Sequence, residues 1–197
     1  MKALILSLAA LLSVSFLSAQ TTIKPGIGMN FSDFSKDPVV GEYKSKLGYQ
    51  IGGSIAFGKK LYFEPGLFYV GKSTEFSYSY SGGSLPSSRE ANFKINGIRI
   101  PVAVGLNILG NEKTMISLRG FGGVSGFFVT SVGDDIDKNE INKSNFGVFA
   151  GAGLDFWKLF IDLSYEWSLT NVQKNVSLID VGNSRSLFIT AGLRINL

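Results

Sequence analysis

The sequence has no cysteine, no histidine and charge on only 17% of its residues. Past Leu17 it also has no apolar run of the roughly 20 residues that a membrane-spanning helix requires. Each absence excludes something. Without cysteine there is no disulfide framework and no thiolate metal or redox centre. Without histidine the usual general base of serine and carboxylate hydrolases is missing, and with it the commonest route to acid–base catalysis near neutral pH. Charge this sparse, against an ordinary share of ~25%, is too little for the solvated surface of a soluble all-β domain. The net charge of +4 falls to +3 without Lys2 and is too small to argue for nucleic acid.

Glycine is abundant instead, at 24 of 197 residues against an ordinary share of ~7%, and mean hydropathy is positive at +0.20. The chain opens with Met1-Lys2, an apolar stretch from Ala3 to Leu17, and the small residues Ser18-Ala19. This predicts a secretory signal peptide over residues 1–19, cleaved before Gln20, in preference to a retained anchor, for which the stretch is short. Residues 20–197 then form one domain, and any membrane residence must come from strands.

The stretch Asn145 to Leu169 reads as one hairpin. Phe146, Val148, Ala150, Ala152, Leu154 and Phe156 share a face in its first arm, and Leu159, Ile161, Leu163, Tyr165, Trp167 and Leu169 in its second. The opposite face carries glycine, serine, Phe149, Phe160 and isolated carboxylates, as the lining of a narrow barrel would. The same alternation recurs from Ile23 to Phe31, Leu47 to Phe57, Leu61 to Tyr80, Phe93 to Ile108, Ile116 to Phe128 and Leu187 to Leu197. In the fourth of these eight strands the apolar phase changes at Asn96-Gly97, which predicts a β-bulge there. Between the strands lie the short turns Gly58-Lys59-Lys60, Gly110 to Lys113 and Trp157-Lys158, and the longer segments Ser32 to Lys44, Ser81 to Ser88, Ser131 to Lys143 and Thr170 to Ser184.

Long and short connections therefore alternate strictly, with both termini on the short-turn side. This predicts an all-β, eight-stranded, antiparallel up-and-down transmembrane β-barrel of the bacterial outer membrane, monomeric and in contact with outer-membrane lipid. Phe31, Phe57, Trp157, Tyr165 and Trp167 are candidates for interfacial girdles. A soluble lipocalin-like barrel with the apolar faces turned inward is the alternative.

Phe63-Glu64-Pro65-Gly66-Leu67, Ile100-Pro101, Gly151-Ala152-Gly153-Leu154-Asp155-Phe156, Asp162-Leu163-Ser164-Tyr165 and Leu193-Arg194 resemble motifs of the PorT-like outer-membrane β-barrel family of Bacteroidota. The resemblance spans nearly the whole mature chain and implies an outer-membrane barrel. Its founding member implies a tie to protein secretion, for which this chain is short. Barrels of this type often end in an aromatic residue, whereas this chain ends in Leu197.

With the phases assigned above, the inward face collects Lys24, Lys46, Arg99, Arg119 and Arg194 against Glu64, Asp155, Asp162 and Glu166. Buried charges in a narrow lumen are costly unless paired, so a plug of salt bridges is expected, packed with Phe68, Phe121, Phe149, Phe160 and Phe188. A gated pore or ligand pocket lined by the same groups is the alternative. No enzyme is expected, although Asp155, Asp162 and Glu166 are the residues from which a histidine-free carboxylate pair would be built. No cofactor or metal is expected. The acidic run Asp134 to Glu140 lacks EF-hand spacing, and Gly151-Ala152-Gly153 lacks the third glycine and following helix of a nucleotide loop. The remaining candidate is a protruding hairpin, Tyr69 to Ile95, whose Tyr69, Phe76, Tyr78 and Tyr80 would offer an extracellular or envelope protein partner aromatic contacts or a strand edge.

Overall fold

A computed structural model describes the backbone of residues 20–34, 42–80, 87–110, 114–133, 142–171 and 183–197. Side chains are described for residues 20–32, 46–73, 94–110, 114–133, 142–170 and 184–197. Residues 1–19, expected to be a signal peptide, the run Asp134 to Glu140 and the side chains of Phe76, Tyr78 and Tyr80 lie outside the described residues.

The strands are β1 (Thr21–Phe34), β2 (Glu42–Gly58), β3 (Leu61–Tyr80), β4 (Ser87–Leu109), β5 (Ile116–Val132), β6 (Ser144–Phe156), β7 (Leu159–Asn171), β8 (Asn183–Leu193) and the short β9 (Ile195–Asn196). Each long strand pairs antiparallel with the next, and β1 pairs with both β2 and β8. β9 continues the register of β8 along β1, with Ile23 opposite Ile195 and Thr22 opposite Asn196. The step at Arg194 diverts its N–H to the Lys158 carbonyl at 2.7 Å. The result is a closed eight-stranded barrel.

Alternation sorts the side chains inside out. Ile27, Leu47, Ile51, Leu67 and Leu163 stand exposed on the outer wall, while Lys24, Asn30, Arg99, Arg119 and Asp155 are buried within. Such a wall is stable only against lipid, and it rules out the lipocalin-like alternative, whose apolar residues would fill the interior. Aromatic pairs edge the apolar wall: Tyr49 with Tyr69 (ring centroids 6.3 Å apart), Phe128 with Phe146 (6.3 Å) and Tyr165 with Trp167 (4.8 Å).

The strands run further into the long connections than the alternation indicates, with β1 reaching Phe34 and β2 starting at Glu42. One local expectation is refined and one is corrected. A β-bulge does fall at Asn96-Gly97, in the pairing of β4 with β5, while β4 pairs with β3 in unbroken register from Lys72↔Ile95 through Phe68↔Arg99. The extra residue is Thr130 in β5, since Asn96 faces Ser131 and Gly97 faces Val129, and the Thr130 hydroxyl bonds the Asn96 carbonyl at 3.1 Å. The apolar phase changes because Ile95 points inward, onto a plug of Phe68, Val70, Phe127 and Phe188. Lys46 does not face the lumen. In β2, Lys46 pairs with Ser73 but Tyr49 pairs with Gly71, so Leu47 and Gly48 together span Lys72. This bulge puts Lys46 on the outer face, where it is exposed.

Candidate functional site in the barrel lumen

The lumen holds its charges in two tiers. The lower tier, next to the short turns, is assembled from almost the whole circumference: Lys24 on β1, Glu64 on β3, Arg119 on β5, Asp155 on β6, Asp162 on β7 and Arg194 after β8. Lys24 Nζ donates to Glu64 Oε1 at 2.8 Å and to Asp162 Oδ2 at 3.0 Å. Arg119 lies at the centre. Its Nε donates to Asp155 Oδ2 at 2.9 Å, its Nη2 to Asp162 Oδ1 at 2.6 Å and its Nη1 to the Tyr62 hydroxyl at 3.2 Å. Arg194 Nη1 reaches Asp155 Oδ2 at 2.7 Å, and the Ser117 and Ser54 hydroxyls donate to Asp155 and Glu64. Three cations thus meet three carboxylates, and with Lys24 and Asp155 each 2% exposed only such mutual neutralisation makes the burial tolerable.

Small residues make the room. A side chain at Gly153 would run into Asp162 and Arg119, and one at Gly105 into the Tyr62 ring.

The upper tier is smaller. Arg99 Nε and the Ser125 hydroxyl both donate to Glu166 Oε2 at 2.8 Å. The Arg99 guanidinium lies 4.4 Å from the Phe188 ring centre and 5.2 Å from that of Phe149, a cation–π stack that seats it among apolar neighbours. Lys72 donates to the Ser186 hydroxyl at 3.1 Å and sits over the Phe127 ring at 4.9 Å. Phe68 and Phe127 flank Arg99 on the neighbouring strands, and with Val70 and Phe188 they form a buried apolar plug around the upper tier, with Ile95 and Val129 packed against it.

Between the tiers lies a cavity of about 60 Å³, walled by Phe68, Phe121, Phe149 and Phe160 and touched by Glu64, Asp162 and Arg99. A second space of about 20 Å³ lies on the short-turn side of the lower tier and is also lined by Glu64, with Lys24, Arg119 and Arg194. At ~10–15 Å³ for each water the larger has room for a small hydrated cluster and nothing the size of a sugar. Arg99 Nη2 and Gln50 Oε1 belong to residues on its wall and have no hydrogen-bond partner among the described residues. Arg99 Nη2 does lie 2.8 Å from Glu166 Oε2, but without the alignment a hydrogen bond needs.

Of the lumen residues expected from sequence, eight are brought together and Lys46 is not. Asp155, Asp162 and Glu166 are each bonded to a guanidinium or ammonium group, an arrangement that fixes the carboxylate in place. Among the described residues no group of His, Cys, Asp and Glu is placed to hold a metal ion. Sequence reasoning missed Tyr62 and Lys72 as members. Tyr62 had a signal, since it shares the inward phase of Glu64 and Phe68.

The β3–β4 hairpin continues far above the plug, paired without interruption from Gly71↔Asn96 to Tyr80↔Ser87. Its strands hold 20 and 23 residues, against 13 each in β6 and β7. Tyr69 lies on its outer face at the aromatic edge.

The barrel resembles several solved outer-membrane proteins in outline. Against OprG of Pseudomonas aeruginosa the identity is 10%, with 90% of this chain and 95% of that one covered and a TM-score of 0.48. Against neisserial surface protein A the values are 13%, 90%, 97% and 0.49. Against Ail, the attachment invasion locus protein of Yersinia pestis, solved with the heparin analogue sucrose octasulfate, they are 17%, 90%, 99% and 0.44. A comparison with curated proteins found no match. The sequence itself matches the family described as "Outer membrane protein beta-barrel domain" over residues 18–174, which covers seven of the eight long strands and most of both charge tiers. This eight-stranded barrel with its ion-paired lumen belongs to the outer membrane protein beta-barrel domain family.

Proposed function

We propose that the protein is a non-catalytic outer-membrane barrel that is held shut by its lumen charges and does its work through the protruding β3–β4 hairpin. In this reading the short turns and both termini are periplasmic and the hairpin is extracellular. The observation that carries it is the contrast in strand length. About 9–11 residues span the bilayer, so much of the 20-residue β3 stands beyond it, while the bore beneath is plugged. A rigid, paired stalk above a closed barrel suits recognition of an extracellular or envelope protein partner, by strand addition or aromatic contact. A photo-cross-linker at Tyr78 in whole cells should trap one discrete species, and a blank result in native envelopes counts against the proposal.

A second reading is a path for small solutes, favoured by the two cavities that meet at Glu64. Purified protein in a planar bilayer then shows discrete conductance altered by changes at Arg119 or Glu166, and a silent bilayer removes this reading. The short motifs shared with PorT-like barrels support the narrower kinship and an accessory role in secretion. Loss of the protein should then change the profile of exported proteins.

A further inference from the structure

The barrel's two ends differ in charge. At one end the described residues of the short turns include Lys59, Lys60 and Lys158 and no carboxylate. In sequence the long connections mix both signs, with Asp37 beside Lys36, and Asp134, Asp135 and Asp137 beside Lys138. Lys59, Lys60 and Lys158 are exposed, and among the described residues none of them forms an ion pair. The neighbouring cations Lys24 and Arg194 are already committed to carboxylates inside the lumen.

The backbone fixes where these lysines stand. Gly58 N–H bonds the Gln20 carbonyl at 3.0 Å, the Lys60 carbonyl accepts from Asn107 N–H at 2.8 Å, and the Lys158 carbonyl accepts from Arg194 N–H at 2.7 Å. Each turn is thus tied to the neighbouring strand. At the same short-turn end the apolar side chains of Leu61, Leu109, Met115 and Trp157 are exposed and form an apolar collar, with Trp157 68% exposed and the Lys158 ammonium 5.2 Å from its ring centre. Apolar groups at acyl depth and long cations one step further out match a phospholipid, whose phosphate lies directly above its chains.

From this charge pattern we infer that the short-turn rim is a binding surface for anionic phospholipid, formed by Lys59, Lys60 and Lys158 above the Trp157 collar. It goes beyond the closed-barrel reading and does not depend on it, since it needs only membrane residence. Trp157 marks this end and Trp167 the other, so two single-tryptophan chains report the ends separately.

The folded chain is placed in phosphatidylcholine vesicles containing a minor share of either brominated phosphatidylglycerol or brominated phosphatidylcholine, and tryptophan quenching is compared. In Trp167→Phe, which retains Trp157, the anionic lipid should associate roughly fivefold or more preferentially. That preference should vanish at about 1 M salt, where the screening length is ~3 Å, and in Lys59→Gln/Lys60→Gln/Lys158→Gln. In Trp157→Phe, which retains Trp167, the two lipids should quench nearly equally. Equal quenching at Trp157, the same preference at both ends, or a preference that survives the triple substitution each overturns the proposal. The closed-barrel reading fails by a different measurement, the conductance of the same protein.

Discussion

Removing Arg119 should unbalance the lower tier, and a second substitution chosen from the geometry should restore it. Arg119 is 3% exposed and is bonded to Asp155, Asp162 and Tyr62. Arg119→Met keeps the volume of the side chain's stem but leaves Lys24 and Arg194 facing three carboxylates. Breaking a buried pair in this way costs about 3–5 kcal/mol, because the orphaned charge remains in place. Adding Asp162→Asn removes that charge and leaves two intact pairs, Lys24 with Glu64 at 2.8 Å and Arg194 with Asp155 at 2.7 Å. The double variant should therefore recover roughly 2 kcal/mol of the loss and be more stable than Arg119→Met alone, a coupling within the range measured for residues in one network. Urea unfolding in lipid vesicles, followed by tryptophan fluorescence, measures all the corners of this cycle. A single variant within about 1 kcal/mol of the parent would mean that hydration of the lumen, not pairing, keeps the charges stable. A double variant less stable than the single would refute the idea that the tier is balanced as a unit.

Two further substitutions probe the space around the charges. Gly153→Ala places a methyl group against Asp162 and Arg119 and should cost about 1–3 kcal/mol, read as a lower urea midpoint with unchanged slope. Lys72→Met removes an ammonium whose hydrogen bond among the described residues goes to Ser186 and which lies between the Phe127 and Phe188 rings, so it should leave stability unchanged or raise it by up to ~1 kcal/mol. A clear loss on Lys72→Met would show that the upper tier needs its second cation.

Much of this architecture could be read from the chain because membrane strands obey a strict rule. A residue facing lipid must be apolar, so the run from Phe146 to Phe156 announces its orientation position by position. Inward charges follow from the same alternation, which is why Lys24, Glu64, Arg119, Asp155 and Asp162 could be assigned to one face before their contacts were known. The rule fails where the backbone adds a residue or the lumen turns apolar. Lys46 was misplaced because a bulge at Leu47 and Gly48 leaves no mark in the pattern of residue types. Ile95 looked like a lipid-facing residue after a phase change, yet it packs inward because the upper bore is filled with phenylalanine and valine. Lys72 follows Val70 on that inward face, beyond the stretch in which charge was expected. Which cation meets which carboxylate depends on register between strands far apart in sequence, information that no single strand contains.

The seam between β1 and β8 has a consequence for how the molecule forms. Gly26 pairs with Gly192 and Phe34 with Ser184, so the contacts that complete the cylinder join the two ends of the domain. Contacts of such long range are slow to find, because the intervening chain must be ordered before they give any return. Until then both terminal strands present unpaired backbone, a template for pairing with another molecule. Refolding into vesicles should accordingly proceed over a long open phase in which yield falls as protein concentration rises, and a chain ending before Ile195 should lose the lowest rungs of the seam, those at Thr22 and Ile23.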